Sequence, residues 1–164
     1  MRATVVASLI HALVAVRAAS TVMASLSAAD EAKLSDDLLN AVRSEADARV
    51  DVLVQLASPS QVLEDSCDRS ASADLDRSQR VSCVAESLQS FAEVAQQPVK
   101  DLLDRREEQF GSSTFLWISN SVAVKEACVE LVVALAQLEA VEKIELEQMF
   151  GIQAGGEEIL FTTE

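Results

Sequence analysis

Few residues in this chain are able to do chemistry, and their spacing does not suit catalysis. The sole histidine is His11, and it sits in a run from Ala3 to Val16 that is apolar apart from Thr4, Ser8 and His11. If that run leaves as a leader, the remaining chain holds no imidazole. A Ser-His-Asp triad, a Cys-His pair and a histidine metal site are then all excluded. Lysine or carboxylate catalysis stays formally open, yet no spacing asks for it. Cys67, Cys83 and Cys128 form no Cys-x-x-Cys pair, so no metal ligand set and no cofactor are expected. Cys67 and Cys83 could close a loop of about 15 residues, worth roughly 3 kcal/mol. Cys128 would then remain a small buried thiol; three free thiols are the alternative. Carboxylates dominate the chemistry that is left: 27 Asp and Glu face 13 Lys and Arg, for a net charge of -14 and a pI near 4.4. Such a surface repels a phosphate backbone or an anionic membrane, so nucleic acid is not an expected partner.

The first acid is Asp30, and Arg2 precedes the apolar run. A bilayer span needs about 20 apolar residues, whereas a secretory h-region needs fewer, so residues 1–18 read as a signal peptide and the protein as secreted. Val16 and Ala18 place small residues before a cut, with Val22 and Ala24 or Ser27 and Ala29 as later sites. A mitochondrial presequence, with Arg2, Arg17 and several serines ahead of any acid, or an uncleaved helix are the other readings. A cut after Ala18 removes two basic residues and no acid, taking the charge from -14 to -16, with no membrane contact expected afterwards.

The elements that must position these groups follow from periodicity. Residues 30–49 carry helical spacing at Leu34, Leu38, Leu39 and Val42, with Ser35 as a cap and Asp36 and Asp37 in the favoured first turn. VDVLVQL, Val50 to Leu56, alternates strictly and predicts a half-buried strand. Ser58 to Gln79 has no apolar period and reads as a solvated loop. Val81, Val84, Leu88, Phe91, Ala95, Val99 and Leu102 recur every three or four residues, a helix whose Pro98 predicts a break near Gln96 and Gln97. Strand chemistry fills Thr114 to Ser119 and Ser121 to Val124, with Asn120 suited to the turn between. Helical spacing resumes at Ala127, Leu131, Ala134, Leu135 and Leu138. Val141 to Glu147 alternates Ile144 and Leu146 inward with Glu145 and Glu147 outward. The order strand, helix, strand, strand, helix, strand predicts an α+β, ferredoxin-like βαββαβ domain: a four-stranded antiparallel sheet, two helices on one face, and an N-terminal helical extension.

The run FLWISNSVAVKEACVELVVALAQLEAVEKIELEQ, with VDVLVQL upstream, resembles the propeptide of subtilisin-like serine proteases, in particular the longer bacillopeptidase-type form. The shared features are the strand ending in Asn120, the Ser121-Val122-Ala123-Val124 segment, the helix ending near Leu138 and the Val141 to Ile144 strand, covering residues 50–153. The resemblance implies a domain that binds a subtilisin-like serine protease in cis or in trans, helps it fold and inhibits it. It implies that Gln148, Met149, Phe150, Gly151, Ile152 and Gln153 run extended through the substrate cleft, with Phe150 and Ile152 near the specificity pockets and 154–164 a flexible tail. It also implies that Glu145 and Glu147, with Glu142 as a third, meet helix N-termini on the protease. No catalytic domain follows Gln153 in this sequence, so no proteolytic activity is expected of the chain itself. The alternatives are the N-terminal part of a protease precursor, or a secreted acidic interaction protein that uses its helical face.

Overall fold

Strict alternation in Arg49–Leu56 (β1) turns Val52, Val54 and Leu56 into the core and leaves Leu53 and Gln55 half-buried on the other face. Burying each such aliphatic side chain contributes about 1.5 to 3 kcal/mol, and one slip in register would turn all of them outward. The structure is a computed structural model; it describes residues 23, 25–44, 48–67, 76–147, 152–154 and 157–159, with backbone alone for 61, 65–67 and the last two segments. The expected leader, residues 1–18, lies outside the described residues.

β1 pairs antiparallel with Ser121–Cys128 (β3) on one side and with Val141–Leu146 (β4) on the other, and Ser112–Leu116 (β2) completes the sheet beside β3. The strand order is β2-β3-β1-β4, all neighbours antiparallel. The four-stranded antiparallel sheet with its helices is the expected α+β architecture. Register puts Val54 opposite both Val122 and Ile144, so one face is a continuous aliphatic layer. Val99, Leu102 and Leu103 of helix Gln97–Asp104 and Leu131, Val132 and Leu135 of helix Val129–Ala136 join that layer in a single core.

The N-terminal extension belongs to the same core. Helix Asp36–Ser44 buries Leu38 and Val42, and its first turn is capped where the Leu38 amide donates to Ser35 Oγ at 3.4 Å. Ahead of it, Leu34 bridges in parallel to Ile144. The Ile144 amide donates to the Lys33 carbonyl at 2.8 Å, and the Ser35 amide to the Ile144 carbonyl at 3.0 Å. The outer edge of β4 is thereby partly closed. Lys33 Nζ also donates to the carbonyls of Ala136 and Leu138, at 2.8 and 2.9 Å, which satisfies the C-terminal end of helix Val129–Ala136 with a cation where the dipole favours one. Met23 and Leu26 pack against this core as well.

The long apolar stripe forms two helices, Arg77–Ala95 and Gln97–Asp104, broken at Gln96 as Pro98 requires. Pro98 sits in the first turn of the second helix, where its missing amide costs nothing. Gln96 is buried, and its Nε2 donates to the carbonyls of Leu116 and Ser121 at 3.3 and 3.4 Å. The break is thereby fastened to the two ends of the β2-β3 turn. The Asp76 carboxylate and the Gln79 side chain cap the first helix reciprocally.

Four expectations need correction. Ser60–Cys67 is a helix lying along Arg77–Ala95, not a loop; its few apolar residues show no period, and tertiary contact with that helix supplies what propensity does not. Trp117, Ile118 and Ser119 lie in a turn rather than in strand β2, because pairing ends at Leu116 opposite Ser121. The second helix starts at Val129 rather than at Ala127, since β3 continues to Cys128. Val81 and Val84 are 63% and 37% exposed, so the stripe is buried only from Leu88 onward.

β3 reaches Cys128 through a bulge between the pairs Val50 with Ala127 and Val52 with Val124. There Glu126 takes a left-handed conformation, φ 52, and its amide donates to Asp51 Oδ1 at 2.9 Å. Its carboxylate lies over Gly111, where an added Cβ would come within 3.1 Å of Glu126 Oε2.

Candidate functional site

The face of the sheet opposite the core is built from Asp51, Leu53 and Gln55 of β1, Thr114 and Leu116 of β2, Ala123 and Lys125 of β3, and Lys143 and Glu145 of β4, followed by Glu147. Strand alternation and the observed register place them together: Leu53 stands opposite Ala123 and Glu145, Gln55 opposite Lys143, and Thr114 opposite Ala123. Leu53 and Ala123 are half-buried and Leu116 is 39% exposed, giving an apolar strip across the middle strands.

Charged pairs flank the strip. Gln55 Nε2 donates to Glu145 Oε2 at 2.7 Å, and Lys143 Nζ lies 2.5 Å from Glu145 Oε1. Lys125 Nζ lies 2.8 Å from Glu147 Oε2 and 3.2 Å from Asp51 Oδ2. The Glu147 carboxylate, joined by that of Asp51, holds the Lys125 ammonium above its ordinary pKa against the opposing effect of burial. The Glu147 amide donates to the Asp51 carbonyl at 2.9 Å, so the main chain stays attached to the sheet up to the residue where the tail begins.

Glu145 and Glu147 thus share one face, as alternation predicts, while Ile144 and Leu146 turn to the core. Glu142 stands apart from them. It is the extra residue between the pairs Gln55 with Lys143 and Leu56 with Val141, and it is exposed. Gln148, Met149, Phe150 and Gly151 lie outside the described residues. The backbone of Ile152–Ala154, which includes Gln153, pairs antiparallel with Glu157–Ile159 in a small hairpin separate from the main sheet.

Asp51, Gln55 and Lys125 were not singled out by sequence reasoning. The alternation of VDVLVQL already turned Asp51 and Gln55 away from the core, but their meeting with Lys125, Glu145 and Glu147 depends on register.

Cys83 is disulfide-bonded and Cys128 is a free thiol; the Cys67 side chain lies outside the described residues. Burial raises the Cys128 pKa, which keeps the thiol protonated and a poor nucleophile. Among the described residues, no group of three or more His, Cys, Asp or Glu could hold a metal ion, and no helix is long and apolar enough to cross a membrane. What this face can do chemically is bind: it offers exposed aliphatic surface with carboxylates and ammonium groups held at fixed positions around it. Comparison with family models, curated proteins and solved structures finds no match for this chain.

Proposed function

We propose that this chain is a propeptide-like inhibitor and folding partner of a subtilisin-like serine protease, acting in cis or in trans from a secreted location. The observation that carries the reading is the open face of the four-stranded antiparallel sheet, whose last strand presents Glu145 and Glu147 and leads directly into the tail that begins at Gln148. In this reading the apolar strip of Leu53, Ala123 and Leu116 packs on the protease surface. Glu145 and Glu147 exchange their contacts with Lys143 and Lys125 for backbone amides at helix N-termini of the enzyme. Residues 148–153 enter the substrate cleft as an added strand. Two further points support it. An acidic binding face suits helix N-termini, where unpaired donors and the dipole favour negative charge. Met23 and Leu26 pack against the core, so a leader cut after Ala18 leaves the packed residues whole, whereas a cut after Ala24 would remove Met23 and one after Ala29 would remove both.

The test is titration of the chain from Ala19 to Glu164 into a subtilisin-like protease assayed with a small peptide substrate, beside a form ending at Glu147 and a Leu53→Arg variant. Saturable inhibition by the first, lost in the other two while both remain folded, is expected. Absence of inhibition by the folded parent at micromolar concentration refutes the reading.

A further inference from the structure

We propose that the groove between the first turns of helix Arg77–Ala95 and the β2-β3 turn is a docking site for an acidic, apolar segment of a partner protein. The groove has a volume of about 390 Å³, with Val81, Val84, Trp117 and Ile118 on its walls and Arg77 and Arg80 at its rim. Val81 is 63% exposed and Ile118 66%. Aliphatic side chains gathered in one open groove, rather than scattered singly, offer a surface on which a partner can pack.

Charge identifies the occupant. The chain carries a net charge of -14, and most of its other described cations are engaged: Lys33, Arg43, Lys125 and Lys143 in ion pairs, Arg49 on backbone carbonyls, Arg106 on the Gln109 side chain and Lys100 over the Phe115 ring, while Arg105 stands exposed away from the groove at the end of helix Gln97–Asp104. Arg77 and Arg80 are the cations that border the apolar groove. Among the described residues, neither has a carboxylate within salt-bridge distance. Three apart on one helix, they lie on the same side of it, and both guanidiniums can take carboxylates in bidentate fashion. A segment that brings acids to this rim and aliphatic side chains to the groove matches both halves of the site. The groove is open rather than enclosed, so a single alkyl chain would stay half wet, whereas binding pockets for small molecules bury most of their ligand. A polypeptide, which covers the site with several side chains at once, fits better. None of these residues belongs to the open sheet face, so the inference stands independently of the protease reading.

Trp117 is the only tryptophan, and its emission therefore reports on this groove. The full chain is titrated with a short synthetic amphipathic peptide carrying leucines on one face and glutamates on the other, and with its lysine counterpart. Expected is a saturable emission shift with the acidic peptide and none with the basic one. Reversing the rim with Arg77→Glu and Arg80→Glu together should weaken the acidic peptide about ten-fold and strengthen the basic one. Circular dichroism confirms that the variant is folded, and Val84→Glu, which leaves the rim intact, should weaken the acidic peptide too. Protease inhibition by the rim variant should match that of the parent. The proposal is overturned if neither peptide binds, if both bind equally, or if reversing the rim has no effect. It is also overturned if dodecanoate produces the shift and the acidic peptide does not, which would make the groove an amphiphile site. Sedimentation that shows the groove closed by self-association would assign it instead to a second copy of the chain.

Discussion

Asn120 closes the turn between β2 and β3, and its replacement separates three effects. The residue is fully buried with φ 47, a left-handed conformation, and its Nδ2 donates to the Ala57 carbonyl at 2.8 Å. Its backbone carbonyl accepts the Leu56 amide at 3.2 Å, while Oδ1 is buried without a partner. Asn120→Gly keeps the backbone conformation. It loses the bond to Ala57, leaves that carbonyl unpaired, removes the orphaned Oδ1, and adds about 0.4 to 1 kcal/mol of unfolded-chain entropy. A net loss of about 1 to 2 kcal/mol is expected. Asn120→Ala suffers the same loss at Ala57 but costs about 1 to 2 kcal/mol for the left-handed backbone, so it should fall about 0.5 to 1 kcal/mol below the glycine variant. Asn120→Asp tolerates the backbone but turns an acceptor toward an acceptor in a dry site, and should be the least stable of the three at neutral pH. Burial raises the pKa of such a carboxyl, and its protonated form can donate to Ala57. Its deficit relative to the parent is therefore full above the raised native pKa and shrinks as pH falls toward the unfolded value of about 3.9. Urea unfolding followed by Trp117 emission, at about pH 7 and about pH 4, measures all of this. A glycine variant less stable than the alanine variant, or an aspartate variant whose deficit does not shrink in acid, refutes the reasoning.

Lys33→Met removes the cation bound to the Ala136 and Leu138 carbonyls and should cost about 1 to 3 kcal/mol, measured as a lower urea midpoint, with Lys33→Arg recovering part of it. Because the folded protein raises the Lys125 pKa, that residue's contribution is complete below its unfolded value of about 10.4 and is lost as pH rises through the higher native value. Thermal unfolding between about pH 9 and about pH 11.5 should therefore show an alkaline loss of stability in the parent that is smaller in Lys125→Met. An equal loss in both would remove the Glu147 and Asp51 contacts as its cause.

The amino-acid sequence by itself determined the order of the four strands of the main sheet, the inward and outward faces of β1 and β4, the break at Gln96 and the turn at Asn120. Each depends on local physics: a period of two, a missing amide at Pro98, and an asparagine that tolerates positive φ. Only the tertiary structure decided what those elements meet. Helix Ser60–Cys67 has too few apolar residues to show a period and is held by its neighbour. Leu34 could not be read as a partner of Ile144, nor Lys33 as the cation at the end of a helix about a hundred residues away, because no local pattern records which edge or which helix end lies nearby. The open face has the same origin. Alternation turned Asp51, Glu145 and Glu147 outward, but the register of three separate strands brought Asp51 and Glu147 to Lys125, set Glu145 beside Lys143 and Gln55, and left Leu53 and Ala123 between the charged pairs.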